Sequence, residues 1–319
     1  MTETVIVIGG GVVGLTTAVV LAEQGRRERR VRVWSRDPAA DTTSAVAGAL
    51  FWPYRIEPAE LVGPWSLRSL REYVTLARDP EATGVRVVAG VTTDTPWTEL
   101  GSWGRELPEL REARADELPA GARQGLRGRV PLIDMPTHLR YLEERLRAAG
   151  GSVERRTVAG FEEAAAEAAV VVNCSGLAAR ELVPDASVFP VRGQLVIVEN
   201  PGIEEWLVSK GEDPAGPSYL FPQPFGLILG GTAEEHAWEP RPDPATAATI
   251  VERCAALRPE VRGARVLGHR VGLRPARPAV RIEAVQLPGG ARLVHNYGHG
   301  GAGVTVAWGC AEEAARLAG

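Results

Sequence analysis

The feature that most constrains the fold is residues 4–15, where a run of β-branched residues leads directly into three glycines. Residues 5–8 have the composition of a buried parallel strand, because such strands are covered on both faces. The spacing Gly9-x-Gly11-x-x-Gly14 then opens an apolar segment that predicts a helix over 12–24. In this setting the glycines permit a tight turn, a close approach to a pyrophosphate, and close packing of helix on strand. The stretch predicts a dinucleotide site, with a ligand-free glycine turn as the alternative.

The second strand, predicted over 31–35, bears on which dinucleotide is bound. The fingerprint requires an Asp or Glu roughly 20 residues past the glycines, to accept from the ribose hydroxyls. Here the order Trp34-Ser35-Arg36-Asp37 places the carboxylate two or three positions late. Arg36 suits a 2′-phosphate, but a single arginine after a strand is also commonly solvated. The motif therefore indicates an adenine dinucleotide and leaves its redox half open.

Composition narrows the class of protein. A chain of 319 residues predicts two domains, either consecutive or interleaved. A content of 45% hydrophobic and 24% charged residues is ordinary for a globular protein. A net charge of −4 gives no reason to expect nucleic acid or a membrane surface as a partner. The three cysteines are far apart and lack Cys-x-x-Cys spacing, which indicates buried thiols in a cytoplasmic protein and no metal site.

The order of predicted elements indicates an α/β fold with a change of pattern near residue 188. Strands and helices alternate up to that point, which is typical of a parallel sheet, and later strands follow one another through Pro/Gly turns. The predicted strands are 5–8, 31–35, 85–93, 130–133, 153–158, 169–173, 190–198, 218–221, 227–231, 264–273 and 280–284, followed by a hairpin over 285–296. The predicted helices are 12–24, 58–77, 136–149, 161–168, 244–257 and a last one ending at 317.

Three other stretches of the sequence predict surface, packing or ligand-binding segments. Residues 105–129 are charged and irregular, which predicts a surface excursion, whereas Trp97 and Trp103 are predicted to pack. The segment 42–54 begins with small hydroxylated residues that permit a planar ligand to approach and that can donate to phosphate. A second glycine-rich helix start, over 297–305, would aim N–H groups at another anionic or electron-accepting part of one extended cofactor.

Seven motifs, taken together, resemble those of the D-amino-acid oxidases, and the similarity runs in order from residue 4 to about 317. The motifs are Gly9-x-Gly11-x-x-Gly14, Thr42-Thr43, Trp52-Pro53-Tyr54, Asn173-Cys-Ser-Gly176, Arg192-Gly-Gln194, Gly272-Leu-Arg-Pro-x-Arg-Pro278 and Asn296-Tyr-Gly-His-Gly-Gly-x-Gly-x-Thr305. The resemblance implies FAD held by a Rossmann-type domain, with an interleaved antiparallel-sheet substrate domain. It also implies oxidative deamination of D-amino acids to 2-oxo acids and ammonia, by hydride transfer from the α-carbon to flavin N5, with O2 reduced to H2O2.

The resemblance assigns roles residue by residue. Arg274 would bind the substrate carboxylate, for which a guanidinium fork is well suited. Tyr219 would bind the same carboxylate, the carbonyl of Gly301 would accept from the substrate amine, and Tyr54 would line the pocket. His299 is disfavoured as a general base, because a hydride leaving the α-carbon requires none.

The same comparison predicts the cofactor site and the domains. The FAD-binding residues would be Gly9, Gly11, Val12, Val13, Gly14, Ser35, Arg36, Thr42, Thr43, Ser44, Ala47, Gly48, Ala49, Leu50, Val158, Ser175, Gly176, Arg274, Gly300, Gly301, Gly303, Val304 and Thr305. The FAD-binding domain would comprise 1–55, 130–186 and 265–319, and the substrate domain 56–129 and 187–264. No peroxisomal tripeptide ends the chain, so a bacterial-type cytoplasmic enzyme is expected, with a homodimer as one possible assembly.

Substrate preference stays open between alternatives. A short lid over 209–218 and Ala302, where relatives can carry an aromatic residue, favour neutral and bulky D-amino acids. Lys210, the only lysine, would instead favour an acidic side chain, and Trp52 would reduce the added room. Other possibilities are a D-aspartate or glycine oxidase, a quinone-linked dehydrogenase of the same fold, an NAD(P)-dependent enzyme, and a non-catalytic flavin-binding protein.

Overall fold

A computed structural model describes residues 3–24, 29–107, 109–210 and 216–319. The described residues do not include 25–28, after the first helix, or 211–215, the centre of the expected lid. The helices are α1 (Val12–Gln24), α2 (Ala59–Leu76), α3 (Pro80–Thr83), α4 (Gly101–Glu106), α5 (Met135–Ala148), α6 (Glu162–Ala165), α7 (Ala179–Leu182), α8 (Pro244–Leu257) and α9 (Gly303–Ala318).

Fourteen strands in the described part of the chain join in one sheet. They are β1 (Glu3–Ile8), β2 (Arg29–Ser35), β3 (Val85–Thr93), β4 (Arg111–Glu112), β5 (Gly125–Ile133), β6 (Ser152–Arg155), β7 (Val170–Asn173), β8 (Phe189–Val198), β9 (Trp206–Ser209), β10 (Ser218–Gln223), β11 (Gly226–Gly230), β12 (Glu234–Glu235), β13 (Val266–Gln286) and β14 (Arg292–His299). The order across the sheet is β4-β5-β3-β9-β10-β11-β8-β13-β14-β7-β1-β2-β6, with β12 beside β8.

The sheet has a parallel part and a mainly antiparallel part. In the parallel part, β14, β7, β1, β2 and β6 pair in that order. Antiparallel pairing links β9, β10, β11, β8 and β13, whereas β9 runs parallel to β3. The α/β architecture with a later antiparallel layer, expected from the element order, is thus observed, and its parallel part agrees with the Rossmann-type domain that the resemblance implies.

Helix α1 lies in the interior, and the first glycine motif lies between it and the carboxyl end of β1. Ten of its residues, from Val12 to Ala22, are buried, because the helix packs between the parallel strands and helices α5 and α9. A second apolar cluster on the other face includes Ile6, Trp34 and Phe161. The parallel strands are therefore covered on both faces, as the run of β-branched residues in β1 predicts.

Strand β13 differs from its prediction. Two strands were predicted over 264–273 and 280–284, but one strand runs from Val266 to Gln286 with a register shift between Ala276 and Arg281. The prolines at 275 and 278 did not end the strand, since Pro275 lies opposite Pro190 of β8, where no ladder hydrogen bond from the proline nitrogen is needed. The first half of β13 pairs with β8 and the second half with β14, so this strand joins the two parts of the sheet.

Other differences concern the periphery. The predicted excursion over 105–129 is wrong at its end, because β5 begins at Gly125 and pairs with β3 along its length, burying Leu126. The short strand β9 was missed, and β6 ends at Arg155 rather than at residue 158. Trp103 is buried as predicted, but Trp97 is 36% exposed.

The strand pairing also bears on the expected domain limits. A boundary at residue 130 falls inside β5, which belongs to the antiparallel part, and one at 265 separates β13 from its partner β8. The three cysteines, Cys174, Cys254 and Cys310, are buried and free. Among the described residues no helix has the length and apolar character needed to cross a membrane.

Candidate active site

A cavity of about 890 Å³ opens where the parallel strands end, at their carboxyl edge. Its size suits a large nucleotide cofactor, since ligand pockets range over roughly 300–1,000 Å³. Every residue predicted to bind cofactor or substrate lines this one cavity, although the residues come from distant parts of the chain. The structure therefore brings all the predicted site residues together around one cavity.

The first glycine turn is packed so tightly that side chains are excluded. A Cβ on Gly9 would lie 2.3 Å from the carbonyl oxygen of Cys174, and Gly9 has φ +118°. A Cβ on Gly14 would lie 1.9 Å from the carbonyl oxygen of Gly9. The Ser44 hydroxyl accepts from the backbone N–H of Val12 at 2.9 Å, which ties the hydroxyl-rich segment to the start of α1. The middle glycine, Gly10, was not predicted as a site residue, yet a Cβ there would lie 2.5 Å from Ser35 Oγ.

The end of β2 forms one end of the cavity. Ser35 is buried and its hydroxyl donates to the carbonyl of Asp37 at 2.6 Å, while Arg36 pairs with the Asp37 carboxylate at 2.8 Å. Asp37, which follows the glycines two or three positions later than the fingerprint requires, therefore does line the cavity, together with Arg36. Val158 lines the same end from the loop after β6, and Arg156 covers the Trp34 ring at 3.7 Å from the ring centroid. Arg156 was missed, because one arginine in a charged segment carries no sequence signal.

The segment after the hydroxyl-rich residues forms a long wall. Thr43 donates to the carbonyl of Leu273 at 3.2 Å, joining this wall to β13. Gly48 lies against the ring of Phe221, since a Cβ there would be 2.9 Å from Phe221 Cδ2. Ala49 adopts φ 58° and its carbonyl accepts from the N–H of Ile133. Small residues are needed here for close packing, as their composition indicates.

The second glycine turn lines the same cavity as the first. A Cβ on Gly301 would lie 2.7 Å from Tyr54 Cδ1, and one on Gly300 would lie 2.8 Å from the carbonyl oxygen of Arg55. The Thr305 hydroxyl is already engaged, because it donates to the carbonyl of Trp52 and accepts from its N–H, both at 3.1 Å. Thr305 thus offers the cavity mainly its backbone, and its side chain holds the segment that carries Tyr54.

Arg274 and Tyr219 come together from β13 and β10. Nη1 of Arg274 donates to the carbonyl of Thr232 at 3.1 Å, and among the described residues no carboxylate pairs with this guanidinium. The Tyr219 ring stacks on Phe221 at 4.6 Å between centroids. Burial raises the pKa of Tyr219, and the neighbouring Arg274 guanidinium opposes that rise. The phenol is therefore protonated at neutral pH and can donate a hydrogen bond beside a cation.

Three glycines that the sequence reading did not select give these two side chains their room. The Arg274 guanidinium lies against Gly193, where a Cβ would be 2.4 Å from both Nη atoms. The Tyr219 ring lies against Gly230 and Gly231, with Cβ distances of 1.9 Å to Cζ and 2.6 Å to the hydroxyl. Gly193 stands inside the Arg192-Gly-Gln194 motif, which was the available signal. Arg192 itself is buried and pairs with Glu234 at 2.7 Å, a structural role.

Two side chains in the last motif also escaped prediction as ligand-contacting groups. His299 and Asn296 line the cavity, and His299 Nε2 lies 3.1 Å from Asn296 Oδ1. Burial lowers the pKa of His299 to about 4, so the ring is neutral at physiological pH. Ala302, by contrast, is buried and does not line this cavity, so the room expected from this small residue is not found there.

Comparison with known proteins agrees with this arrangement. The family model described as FAD dependent oxidoreductase (DAO) matches residues 4–317. The chain belongs to this family. A D-amino-acid oxidase of Streptomyces coelicolor is 63% identical over 98% of this chain and 96% of its own, and one of Rubrobacter xylanophilus is 51% identical over 98% and 95%. The crystal structure of glycine oxidase from Geobacillus kaustophilus superposes with TM-score 0.82 at 19% identity, covering 99% of this chain and 95% of its own, which shows the shared fold.

The cavity fits FAD on its own evidence. Two glycine turns, at the starts of α1 and α9, line one cavity, where helix starts offer backbone N–H groups to anionic parts of a cofactor. Arg36 and Asp37, which would lie near a ribose, line the same cavity as Gly300, Gly301 and Thr305. A nicotinamide enzyme that uses only the first turn would leave the second turn and Arg274 without a ligand.

Proposed function

We propose that the protein oxidises D-amino acids, with bound FAD as the oxidant and O2 as the final electron acceptor. Substrate, O2 and water would yield a 2-oxo acid, ammonia and H2O2. The observation that carries the proposal is Arg274, a cation without a carboxylate partner among the described residues, beside the Tyr219 hydroxyl in the wall of the FAD cavity. A half-buried guanidinium favours an anionic ligand, and its fork matches an α-carboxylate. The names of the two bacterial relatives support the same substrate class.

The residues of the chain bind and orient. Arg274 would make two parallel charge-assisted bonds to the α-carboxylate, Tyr219 would donate a third, and the carbonyl of Gly301 would accept from the amine. FAD, when bound, supplies the acceptor for the two electrons that leave with the α-hydrogen. Departure of that hydrogen as a hydride needs no base at the α-carbon, so positioning supplies the protein's share of the catalysis. The neutral His299, whose Nε2 is engaged by Asn296, agrees with this absence of a base.

Helix α9 contributes electrostatics. It is 16 residues long, begins at Gly303, and its first residues line the cavity. The unsatisfied N–H groups of a helix N-terminus carry partial positive charge, which stabilises an anion within the first turn. Negative charge that develops at this end of the cavity during oxidation would therefore be favoured.

We also propose a preference for neutral, bulky side chains. A side pocket of about 360 Å³ adjoins the cavity and shares with it the walls formed by Trp52, Tyr54, Val208 and Pro217. Its floor includes Leu100 and Trp103, and the Trp52 and Trp103 rings meet edge to face at 5.2 Å. Such apolar walls suit aliphatic or aromatic side chains. Lys210 also lines the pocket, which keeps an acidic substrate as the alternative.

The substrate range is tested by measuring kcat/KM for D-valine, D-phenylalanine and D-aspartate. We expect both neutral substrates to exceed D-aspartate. In a Trp103→Ala variant, which enlarges the floor of the side pocket, the ratio of D-phenylalanine to D-valine should rise. A wild-type preference for D-aspartate would contradict the proposed side-chain class and leave the oxidase reaction intact.

The reaction itself is tested by anaerobic titration of the purified protein. A D-amino acid should bleach the flavin absorbance, and its L-enantiomer should not. Readmission of air should restore the spectrum and release one H2O2 per substrate; slow return without peroxide would instead indicate a quinone-linked dehydrogenase. Flavin that neither enantiomer bleaches would refute the proposal in favour of a binding protein.

The carboxylate anchor is tested by Arg274→Gln with Arg270→Gln as the matched control. Arg270 lies four residues earlier on β13, is half-buried over the Phe225 ring, and does not line the cavity. Each lost charge-assisted bond is worth roughly 1.5–3 kcal/mol, so kcat/KM should fall at least ~10-fold in Arg274→Gln. Equal losses in the two variants would show that the anchor is misassigned.

The pairing of β5 and β13 suggests a division into domains, which we propose in revised form. An FAD-binding part would comprise residues up to 55, 134–186 and the second half of β13 onward, because β5 pairs with β3 and the first half of β13 pairs with β8. The substrate part would comprise the remainder, with Arg274 close to the junction.

A further inference from the structure

Buried hydrogen bonds connect helix α1 with the turn that precedes α9. The Thr17 hydroxyl donates to the carbonyl of Val13 at 2.7 Å, and Nδ2 of Asn296 donates to Thr17 Oγ1 at 3.1 Å. Oδ1 of Asn296 lies 3.1 Å from Nε2 of His299. The exposed fractions of Thr17, Asn296 and His299 are 0%, 0% and 3%. No step of the proposed reaction uses these three side chains.

The direction of each bond follows from the number of protons available. A threonine hydroxyl has one proton, and here it goes to the Val13 carbonyl, so Thr17 Oγ1 can only accept from Asn296. The amide nitrogen of Asn296 therefore faces Thr17 and its oxygen faces the imidazole. An amide oxygen cannot donate, so His299 Nε2 must carry the proton. Because burial lowers the pKa of His299 to about 4, the ring holds only that proton, and Nδ1 keeps its lone pair.

The free nitrogen opens toward the cavity. No hydrogen bond among the described residues reaches Nδ1 of His299, and this atom is not one of the sealed polar atoms, unlike Nε2 of His138. Since His299 lines the cavity and no hydrogen bond among the described residues occupies Nδ1, this atom is an acceptor available to a bound group. An acceptor in this position calls for a ligand group that donates.

The position of His299 identifies the part of FAD concerned. Residues 299 and 13 approach each other at Gly303, whose Cβ would lie 3.5 Å from His299 Cβ and 3.9 Å from Val13 Cγ2. His299, in the second glycine motif, and Val13, in the first, thus lie close together, where the turn that suits the pyrophosphate meets the turn that suits the flavin ring. The group of FAD that joins these two parts is the ribityl chain, which carries three hydroxyl donors.

We propose that His299 binds FAD by accepting a hydrogen bond from a ribityl hydroxyl through Nδ1, and that Asn296 and Thr17 are positioning residues that hold the imidazole in the tautomer this bond requires. The proposal rests on FAD as the cofactor and not on the identity of the substrate. It would hold equally for an oxidase and for a dehydrogenase of this fold.

The first test measures the Kd of FAD for the apoprotein by quenching of tryptophan fluorescence. The His299→Leu variant should bind FAD roughly threefold to tenfold more weakly, the effect of one neutral hydrogen bond. His295→Leu is the matched control: His295 lies on the same strand, is 2% exposed and meets Asn173 at 3.2 Å, but does not line the cavity. Equal weakening in both variants would overturn the proposal, because it would trace the effect to a lost buried histidine.

The second test uses three FAD analogues, each with one ribityl hydroxyl replaced by hydrogen. One analogue should bind the unmodified protein more weakly than FAD and should bind His299→Leu as well as FAD does. Loss of affinity that is the same in both proteins would refute the contact.

The third test needs no variant. In ¹⁵N-histidine-labelled apoprotein, Nδ1 of His299 should show the ¹⁵N chemical shift of a nitrogen with a lone pair, and this shift should change on addition of FAD. A protonated Nδ1 would refute the tautomer argument.

Discussion

At the scale of single residues, function depends on positions that carry no side chain. Gly193, Gly230 and Gly231 leave the space into which the Arg274 guanidinium and the Tyr219 ring fit. A methyl group at Gly193 would press on the end of a flexible side chain, which can move away at little cost in stability. The same methyl would displace the atoms that the proposed reaction uses to hold a carboxylate.

Gly193→Ala should therefore separate binding from stability. We expect KM for a D-amino acid to rise about 10-fold or more, the loss of one charge-assisted bond, with the free energy of unfolding within about 1 kcal/mol of the parent. Gly268→Ala is the matched control, because a Cβ on this strand glycine meets nothing within 4 Å. Steady-state kinetics and urea denaturation measure both quantities. An unchanged KM in Gly193→Ala would show that the guanidinium is not held where substrate binds.

At the scale of elements, the start of α9 is positioned by its packing on α2. Tyr73 donates to the carbonyl of Val304 at 2.7 Å, and Ser69 Oγ accepts from the N–H of Gly309 at 3.1 Å. A Cβ on Gly309 would lie 2.4 Å from the Cα and carbonyl oxygen of Trp65, so the two backbones touch. Helix α2 thus sets the position of the start of α9 at the cavity.

Gly309→Ala should disturb this contact between helices. The methyl group meets backbone rather than a flexible side chain, so α9 must shift, at a cost of about 1–3 kcal/mol in the free energy of unfolding. The Kd of FAD should rise in parallel, because the same shift moves Gly303 and Val304. Arg316→Ala, on the exposed side of α9, should change both by little. Thermal denaturation and flavin binding measure the two effects; a stable variant with unchanged flavin affinity would contradict the role given to α2.

At the scale of the whole molecule, one continuous sheet connects cofactor and substrate. Strand β13 pairs with antiparallel β8 through Ala276 and with β14 from Arg281 onward, so Arg274 lies near the change from one part to the other. The proposed substrate anchor, Arg274, is consequently fixed relative to the parallel strands that line the cavity. A hinge between separate domains is not needed to bring them together.

Three buried histidines should make global stability sensitive to acid. Burial lowers the pKa values of His138, His295 and His299 to about 4, below the value of about 6.5 in an unfolded chain. Between these values the unfolded state binds more protons, so the free energy of unfolding falls as pH drops from 6.5 toward 4. In His138→Leu the slope over this range should decrease by roughly 1 kcal/mol per pH unit. Urea denaturation at several pH values tests this, with His269→Gln, a substitution at an exposed histidine, as the control variant.

Local sequence was sufficient wherever one stretch of chain carries its own constraint. The first βαβ unit, helix α8, the hairpin before β14 and the start of α9 follow from glycine spacing, helix caps and apolar periodicity, and their observed limits agree closely with prediction. Among the cavity-lining residues, only the two glycine turns and the hydroxyl-rich segment were recognisable from local pattern, whereas Tyr219, Val158 and most others were assigned through the family resemblance. The family resemblance then related these distant motifs to a single cofactor.

Only the tertiary structure decided which residues meet across the sheet. Three features depend on partners far away in sequence: the pairing with β3 that makes β5 and β9 strands, the continuity of β13 past two prolines, and the glycines beneath Arg274 and Tyr219. The same is true of the proton on His299, which is set by Thr17 through Asn296 across 279 positions of chain. Strand pairing and buried hydrogen bonds form between distant segments, so the sequence of one segment does not determine them. Helix propensity, turns and helix caps depend on residues within one segment, so the sequence of that segment does determine them.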